Sequence, residues 1–109
     1  MVNNSIYEVD IRTDCLDLPS AERKLLFAVA TARANGVHLV KAMHTAAQGA
    51  RLRRALRAWR DQRLISVFIG GGELASDHLT STYLSEMYPA VCEDADFRDG
   101  SPEVTFLAL

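Results

Sequence analysis

The stretch that decides the fold is VHLVKAMHTAAQGARLRRALRAW, Val37–Trp59, in which an apolar segment runs into an arginine-rich one. Its first part, Val37–His44, is short, apolar and β-branched at its start, which is typical of a buried strand in a parallel pair. Thr45–Gly49 is a run of small residues that predicts a turn. Ala50–Arg63 carries apolar residues at helical spacing, so it predicts an amphipathic helix whose arginines take the remaining faces.

The same alternation of strand and helix extends in both directions along the chain. Upstream, Tyr7–Arg12 alternates as a strand does, and Leu18–Gly36 has the apolar stripe of a helix. Downstream, Leu64–Gly70 predicts a strand, His78–Tyr88 a short helix and Glu103–Leu109 a final strand. The order is therefore β-α-β-α-β-(α)-β, which indicates an α/β fold.

This order also predicts the topology of the sheet. Helical crossovers make the first three strands mostly parallel to one another, and the last strand is expected to run antiparallel at an edge. We therefore predict a two-layer sandwich with a four-stranded mixed sheet and two main helices. At 109 residues, positions 1–109 are expected to form a single domain.

Composition narrows the class of protein. No apolar run approaches the roughly 20 residues of a membrane helix, and the opening residues lack the features of a secretion signal, so we expect a cytoplasmic protein without a membrane partner. Two cysteines, Cys15 and Cys92, are too few for a disulfide framework and are expected to be reduced thiols. No cofactor or metal motif is recognisable.

Charge is distributed unevenly, although the chain as a whole carries only −2. Residues 51–63 contain six arginines and one aspartate, whereas residues 73–103 contain eight acidic residues and one arginine, Arg98. Such asymmetry can mark an interaction surface. It is equally compatible with two segments that attract each other within the fold.

Two short motifs resemble those of the small MutS-related domain, or Smr domain. VDIRT, Val9–Thr13, stands where that family has LDLHG, and HTAA, His44–Ala47, stands where it has HGxG. The arginine-rich segment beginning at Gly49 also fits the family's second helix. The resemblance covers nearly the whole chain, and it implies a fold like that of the C-terminal domain of translation initiation factor 3.

The family's activities are DNA nicking, RNA cleavage and nucleic-acid binding, and the resemblance implies them only in part. Asp10 and His44 match the motifs, but Arg12 replaces a histidine, and Thr45 and Ala47 replace the two glycines. Glycines at a helix start let backbone N–H groups approach a phosphate closely, and an arginine cannot act as a base near neutral pH. These replacements predict a divergent, non-catalytic member.

Candidate site residues follow from the expected ends of the strands. Neighbouring parallel strands would bring Asp10, Arg12 and His44 together at the edge where α/β sheets usually bind ligands. Arg51 and Arg54 lie near the expected start of the second helix, where the helix dipole also favours anions. We predict that Arg12, His44, Arg51 and Arg54 contact DNA or RNA phosphates. The alternative is a capping histidine, a structural ion pair and a solvated arginine face.

Two further segments carry weaker signals. DADFRDG, Asp94–Gly100, does not have the spacing of an EF-hand loop and is expected to form an exposed acidic turn. GGGE, Gly70–Glu73, matches neither a P-loop nor a dinucleotide fingerprint and is expected to be a flexible connection.

Three functions remain open from the sequence. The first is a non-catalytic domain that binds a phosphate backbone. The second is a protein-interaction or homodimerisation module that uses the acidic segment. The third is a residual Smr-type endonuclease with Asp10 and His44 as catalytic candidates.

Overall fold

A computed structural model describes residues 6–12 and 18–109. Cys15, Thr13 and the opening residues, on which some of the expectations above depend, lie outside these ranges. The described chain is an α/β domain with a four-stranded mixed sheet and four α-helices. Its elements are β1 (Ile6–Asp10), α1 (Leu18–Ala34), β2 (Leu39–Met43), α2 (Ala46–Asp61), β3 (Val67–Gly70), α3 (His78–Met87), α4 (Ala95–Asp99) and β4 (Val104–Ala108). Short 3₁₀ helices cover Gly71–Glu73 and Pro89–Glu93.

The sheet has the order β1-β2-β4-β3, so the last strand lies inside the sheet. β1 and β2 are parallel, and β4 runs antiparallel to both β2 and β3. The first three strands therefore share one direction, as predicted, but the prediction that the last strand forms an edge is wrong. The reason is apolar burial on both sides of β4: Leu107 points to one face of the sheet, and Val104 and Phe106 point to the other.

Helical segments cover both faces of the sheet. One core lies between the sheet and α1 and α2, and it includes Leu25, Leu56 and Trp59. A second core lies on the opposite face, where Leu84 of α3 and Val91 of the second 3₁₀ helix pack. The prediction of two layers is therefore wrong, because the segment after β3 folds back over the face that a two-layer sandwich would leave bare.

The second face contains a buried lysine, Lys41, at the centre of β2. Its side chain is nearly inaccessible to solvent, and its Nζ lies 2.8 Å from Oδ2 of Asp94 and 2.7 Å from Oδ2 of Asp96. Burial lowers the pKa of the Lys41 ammonium, but hydrogen bonds to the two carboxylates outweigh it, so the pKa is raised overall. Asp94 also accepts a hydrogen bond from the N–H of Phe97, which caps α4. The segment expected to be an exposed acidic turn is thus tied to the sheet.

Two helices differ from their predicted form. α2 begins at Ala46, four residues earlier than expected, because Thr45 and Gln48 form a reciprocal capping box. The predicted turn at residues 45–49 is therefore the cap and first turn of the helix. In α3 the apolar residues Leu79, Tyr83, Leu84 and Met87 would be expected to face inward, but only Leu84 is fully buried and the other three are exposed. None of the described helices is long and apolar enough to cross a membrane.

Replacing Asp94 by asparagine tests the buried ion pair. Asn keeps the capping oxygen, so Asp94→Asn removes mainly the charge that faces Lys41. Because Asp96 still faces the ammonium, we expect a loss of about 1–3 kcal/mol in the free energy of unfolding, measured by urea denaturation.

The control is Asp99→Asn, which removes an equal charge from an exposed position on the same helix. That variant should change the free energy of unfolding by less than about 0.5 kcal/mol. Equal effects of the two variants would contradict a specific role for the pair.

Candidate functional site

A pocket of about 260 Å³ opens where β2 and β3 end and α2 begins. This is the edge of the sheet at which α/β proteins usually bind ligands. Polar groups of His44, Arg53, Glu73 and Thr105 reach its wall. The remaining surface is apolar and is formed by residues of α2, β3 and the start of β4, among them Leu56, Phe68 and Val104.

His44 forms part of the pocket floor, and its ring is almost completely buried. Nδ1 lies 2.7 Å from the carbonyl oxygen of Thr45, and Nε2 lies 2.7 Å from Oγ1 of Thr105. A carbonyl only accepts, so Nδ1 carries the proton and donates, while the Thr105 hydroxyl donates to Nε2 of the neutral ring. Burial lowers the pKa of His44, against smaller opposing effects of the Thr45 carbonyl and Glu103, which favours this neutral form.

Gly49, in the first turn of α2, is packed against the His44 ring. A Cβ atom at this position would lie 2.5 Å from Cε1 and 2.9 Å from Nδ1 of His44, closer than side chains pack. The sequence comparison with HGxG placed the important glycines at positions 45 and 47, but the glycine that makes room for the histidine is Gly49. The sequence offered no signal for this role, because a glycine is ordinary in the turn that was predicted for Thr45–Gly49.

Asp10 and Arg12 pair with each other. The Arg12 guanidinium donates to both carboxylate oxygens of Asp10, at 3.0 and 2.7 Å, and these hydrogen bonds lower the pKa of Asp10 to about 2. In the β1–β2 register, Asp10 is level with Met43, so the residue level with His44 is Ile11. Because successive side chains alternate between faces, Asp10 and His44 point to opposite faces of the sheet. The structure does not bring the three predicted residues together.

The arginines of α2 fall into two groups. Arg53 forms an ion pair with Glu73, and Arg60 lies over the Phe68 ring at 5.6 Å, so these two side chains face β3. Among the arginines of α2 that the structure describes, Arg51, Arg54 and Arg57 have exposed side chains that form no hydrogen bond or ion pair.

Arg53 and Glu73 connect α2 to the 3₁₀ helix that follows β3. The segment of Glu73, expected to be a flexible connection, is thereby fixed beside the pocket. Nε of Arg53 is shielded from solvent and has no hydrogen-bond partner among the described residues. The Nε–H of Arg53 is therefore a buried hydrogen-bond donor that no group of the described residues accepts from.

Sequence reasoning missed three residues that shape this part of the molecule. Arg57 was not among the residues predicted to contact phosphates, yet it projects into solvent beside Arg54. Glu73 was assigned to a flexible connection, and nothing in the local sequence GGGE indicates its pairing with Arg53. Lys41 was counted within an apolar strand, and a lone charge there indicates a buried partner.

Comparison with known proteins gave no assignment: no protein-family model matches the chain, and neither curated proteins nor solved structures show a significant match. In the described ranges there is also no cluster of three or more histidine, cysteine, aspartate or glutamate side chains that could hold a metal ion.

Substituting Gly49 tests its packing on the histidine. An alanine in a helix interior is normally more favourable than glycine by about 1 kcal/mol. Here the added Cβ would meet the His44 ring, so we expect Gly49→Ala to lower the free energy of unfolding by about 1–2 kcal/mol. Gly72→Ala is the matched control, because its Cβ would have an ordinary contact at 3.5 Å with Pro102. A Gly49→Ala protein as stable as the wild type would contradict this packing.

The buried neutral His44 should make stability depend on pH. Below the ordinary pKa of 6.5 the unfolded chain takes up a proton that the folded protein does not, so stability is full above 6.5 and falls as pH drops toward the lowered folded pKa. The contribution approaches at most about 1.4 kcal/mol per pH unit. Urea denaturation between pH 7.5 and about 5 measures this loss of stability. The loss should be absent from His44→Gln and should remain in the control variant His38→Gln, since His38 is exposed. Parallel pH profiles of wild type and His44→Gln would contradict it.

Proposed function

We propose that this chain is a non-catalytic domain that binds a DNA or RNA phosphate backbone through the exposed arginines of α2. The observation that carries the proposal is the group Arg51, Arg54 and Arg57. Each is exposed, and none has an ion-pair partner among the described residues, in a chain whose net charge is negative.

The spacing of Arg51, Arg54 and Arg57 suits a polymer with repeated negative charges better than a single small anion. Arg54 and Arg57 lie three positions apart on the outermost side of α2, and Arg51 lies one turn before Arg54. Residues three apart on a helix are separated by about 4.5 Å along its axis, so the three guanidinium groups form a row. Long arginine side chains in a row can contact successive phosphates without reading base sequence.

α2 presents no exposed aromatic side chain, which favours backbone contacts over stacking. Trp59 of α2 is buried in the core, and Phe68 is covered by Arg60. Proteins that bind single strands through their bases use exposed aromatic platforms. We therefore propose that the arginines bind the phosphate backbone through charge, and that the affinity falls strongly as the salt concentration rises.

A non-catalytic role is supported by the surroundings of the two motif residues. Both His44 ring nitrogens are engaged within the protein, and Asp10 is held by Arg12 with a lowered pKa. A general base needs a free lone pair within reach of substrate. The resemblance to the Smr domain remains part of this proposal as a hypothesis of ancestry.

Binding to a short DNA duplex and a short RNA across a salt series tests the proposal. If three arginines contact phosphates, the logarithm of the association constant should fall with the logarithm of salt concentration with a slope of about −2 to −3. Arg54→Gln and Arg57→Gln should each weaken binding and make the slope shallower by roughly 1.

Arg98→Gln is the matched control, since it removes one exposed arginine from α4 on the other side of the sheet. It should leave the slope unchanged. No binding at about 50 mM salt, or equal losses for Arg98→Gln and Arg54→Gln, would overturn the proposal. Cleavage of either nucleic acid that disappears in His44→Gln would favour the endonuclease instead.

A further inference from the structure

The pocket beside α2 is lined by two opposite charges that neutralise each other. Arg53 and Glu73 form an ion pair in its wall, and no other described residue that lines it is charged, since His44 on the floor is in its neutral form. A lone anion in the pocket would meet the carboxylate of Glu73, and a lone cation would meet the guanidinium group of Arg53. The pocket is therefore suited to an uncharged ligand.

The Arg53–Glu73 pair places a hydrogen-bond donor beside a hydrogen-bond acceptor. Nη2 of Arg53 donates to Oε2 of Glu73, and Glu73 is the only hydrogen-bond partner of this guanidinium group among the described residues. The second carboxylate oxygen, Oε1, lies over Gly70, where a Cβ atom would come within 2.8 Å of it. Both side chains therefore keep hydrogen-bonding capacity that the protein does not use.

An amide group offers the matching acceptor and donor on adjacent atoms, but only some amides present both on one side. An open-chain secondary amide is trans, so its C=O and N–H point in opposite directions. Ring closure makes the amide cis and puts both groups on one edge. The apolar part of the wall, formed by residues such as Leu56, Phe68 and Val104, can cover the rest of a ring, which a small primary amide lacks.

We propose that this pocket binds an uncharged planar ring with a lactam edge, the chemistry of uracil and of other nucleobases that carry a ring N–H beside a carbonyl. The pocket volume of about 260 Å³ equals that of roughly nine water molecules, which accommodates one such ring. Arg57 lies about 40° around the helix from Arg53, so the exposed arginines pass the mouth of the pocket. The ring can belong to a free small molecule or to a strand held on those arginines, and the second source rests on the proposed function.

Titration of the whole chain with uracil, followed through the chemical shifts of backbone amide groups, tests the pocket without nucleic acid. Uracil should bind with a dissociation constant of roughly 0.1–10 mM, as expected for so few atoms, and should shift the signals of Gly49, Gly70 and Thr105. 1,3-Dimethyluracil keeps the ring and both carbonyl groups but has no N–H, so it should bind at least about tenfold more weakly. Equal binding of the two compounds, or no shift at about 20 mM uracil, would overturn the proposal.

Filling the pocket with a side chain tests its location. Ala50 is exposed on α2 and lines the pocket, so Ala50→Leu should weaken uracil binding at least about tenfold while the helix stays stable. Ala47→Leu is the matched control, because Ala47 is exposed on the same helix but does not line the pocket. Uracil binding that Ala50→Leu leaves unchanged, or that both variants weaken equally, would contradict the assignment.

Hexauridylate decides where the ring comes from. If the ring belongs to a strand held on α2, hexauridylate should bind at least about tenfold more tightly than uracil, and both Ala50→Leu and Arg54→Gln should weaken it. If the ring belongs to a free small molecule, hexauridylate should bind no more tightly than uracil, and Arg54→Gln should affect neither. Uracil binding without salt-dependent oligonucleotide binding would leave the pocket assigned and overturn the proposed function. Salt-dependent oligonucleotide binding without uracil binding would do the reverse.

Discussion

A lysine ammonium group buried at the centre of the sheet is the constraint on which the second half of the fold depends. Lys41 stands in β2 between Leu39 and Met43 and beside Phe106 of β4, and its nearly inaccessible charge needs carboxylates in contact with it. Glu8 of β1 lies 3.9 Å away. Asp94 and Asp96 supply the closer carboxylates from a segment 53 positions later. Their approach brings α4 and the preceding 3₁₀ helix over the sheet, which closes the second core. The ion pairs of Lys41 with Asp94 and Asp96 thus help to position the apolar layer that covers this face of the sheet.

The opposite layer follows from a different kind of contact, the packing of α2 on the end of β2. The Thr45–Gln48 capping box starts the helix directly after the strand, and Gly49 leaves the space that the His44 ring fills. Once the buried side of α2 is fixed in this way, its arginines are divided by geometry. Those toward β3 are engaged within the protein, and those on the outer side remain available to a ligand.

Much of the fold could be predicted from the sequence because its signals are local. Helical spacing identified α1, the body of α2 and α3, and β-branched apolar runs identified β2 and β3. The position of β4 could not be predicted in that way, because whether VTFLA lies at an edge or in the centre depends on partners distant in sequence. The candidate site could not be predicted because it depends on the register between β1 and β2. Asp10 and His44 each lie at the end of a strand, but Asp10 is level with Met43, so Asp10 and His44 point to opposite faces of the sheet. The partner of Lys41 was likewise a long-range feature, and neither segment indicates the other.

The central position of β4 has a consequence for how the chain acquires its structure. β1, β2 and β3 leave the ribosome first, yet β2 and β3 have no hydrogen bonds to each other and are joined only through β4. Until residues 104–108 emerge, each of these strands presents an unpaired, apolar edge of the kind that captures strands of other molecules. The sheet therefore cannot be completed before β4 is available, and until β4 pairs with them, β2 and β3 are open to pairing with strands of other molecules.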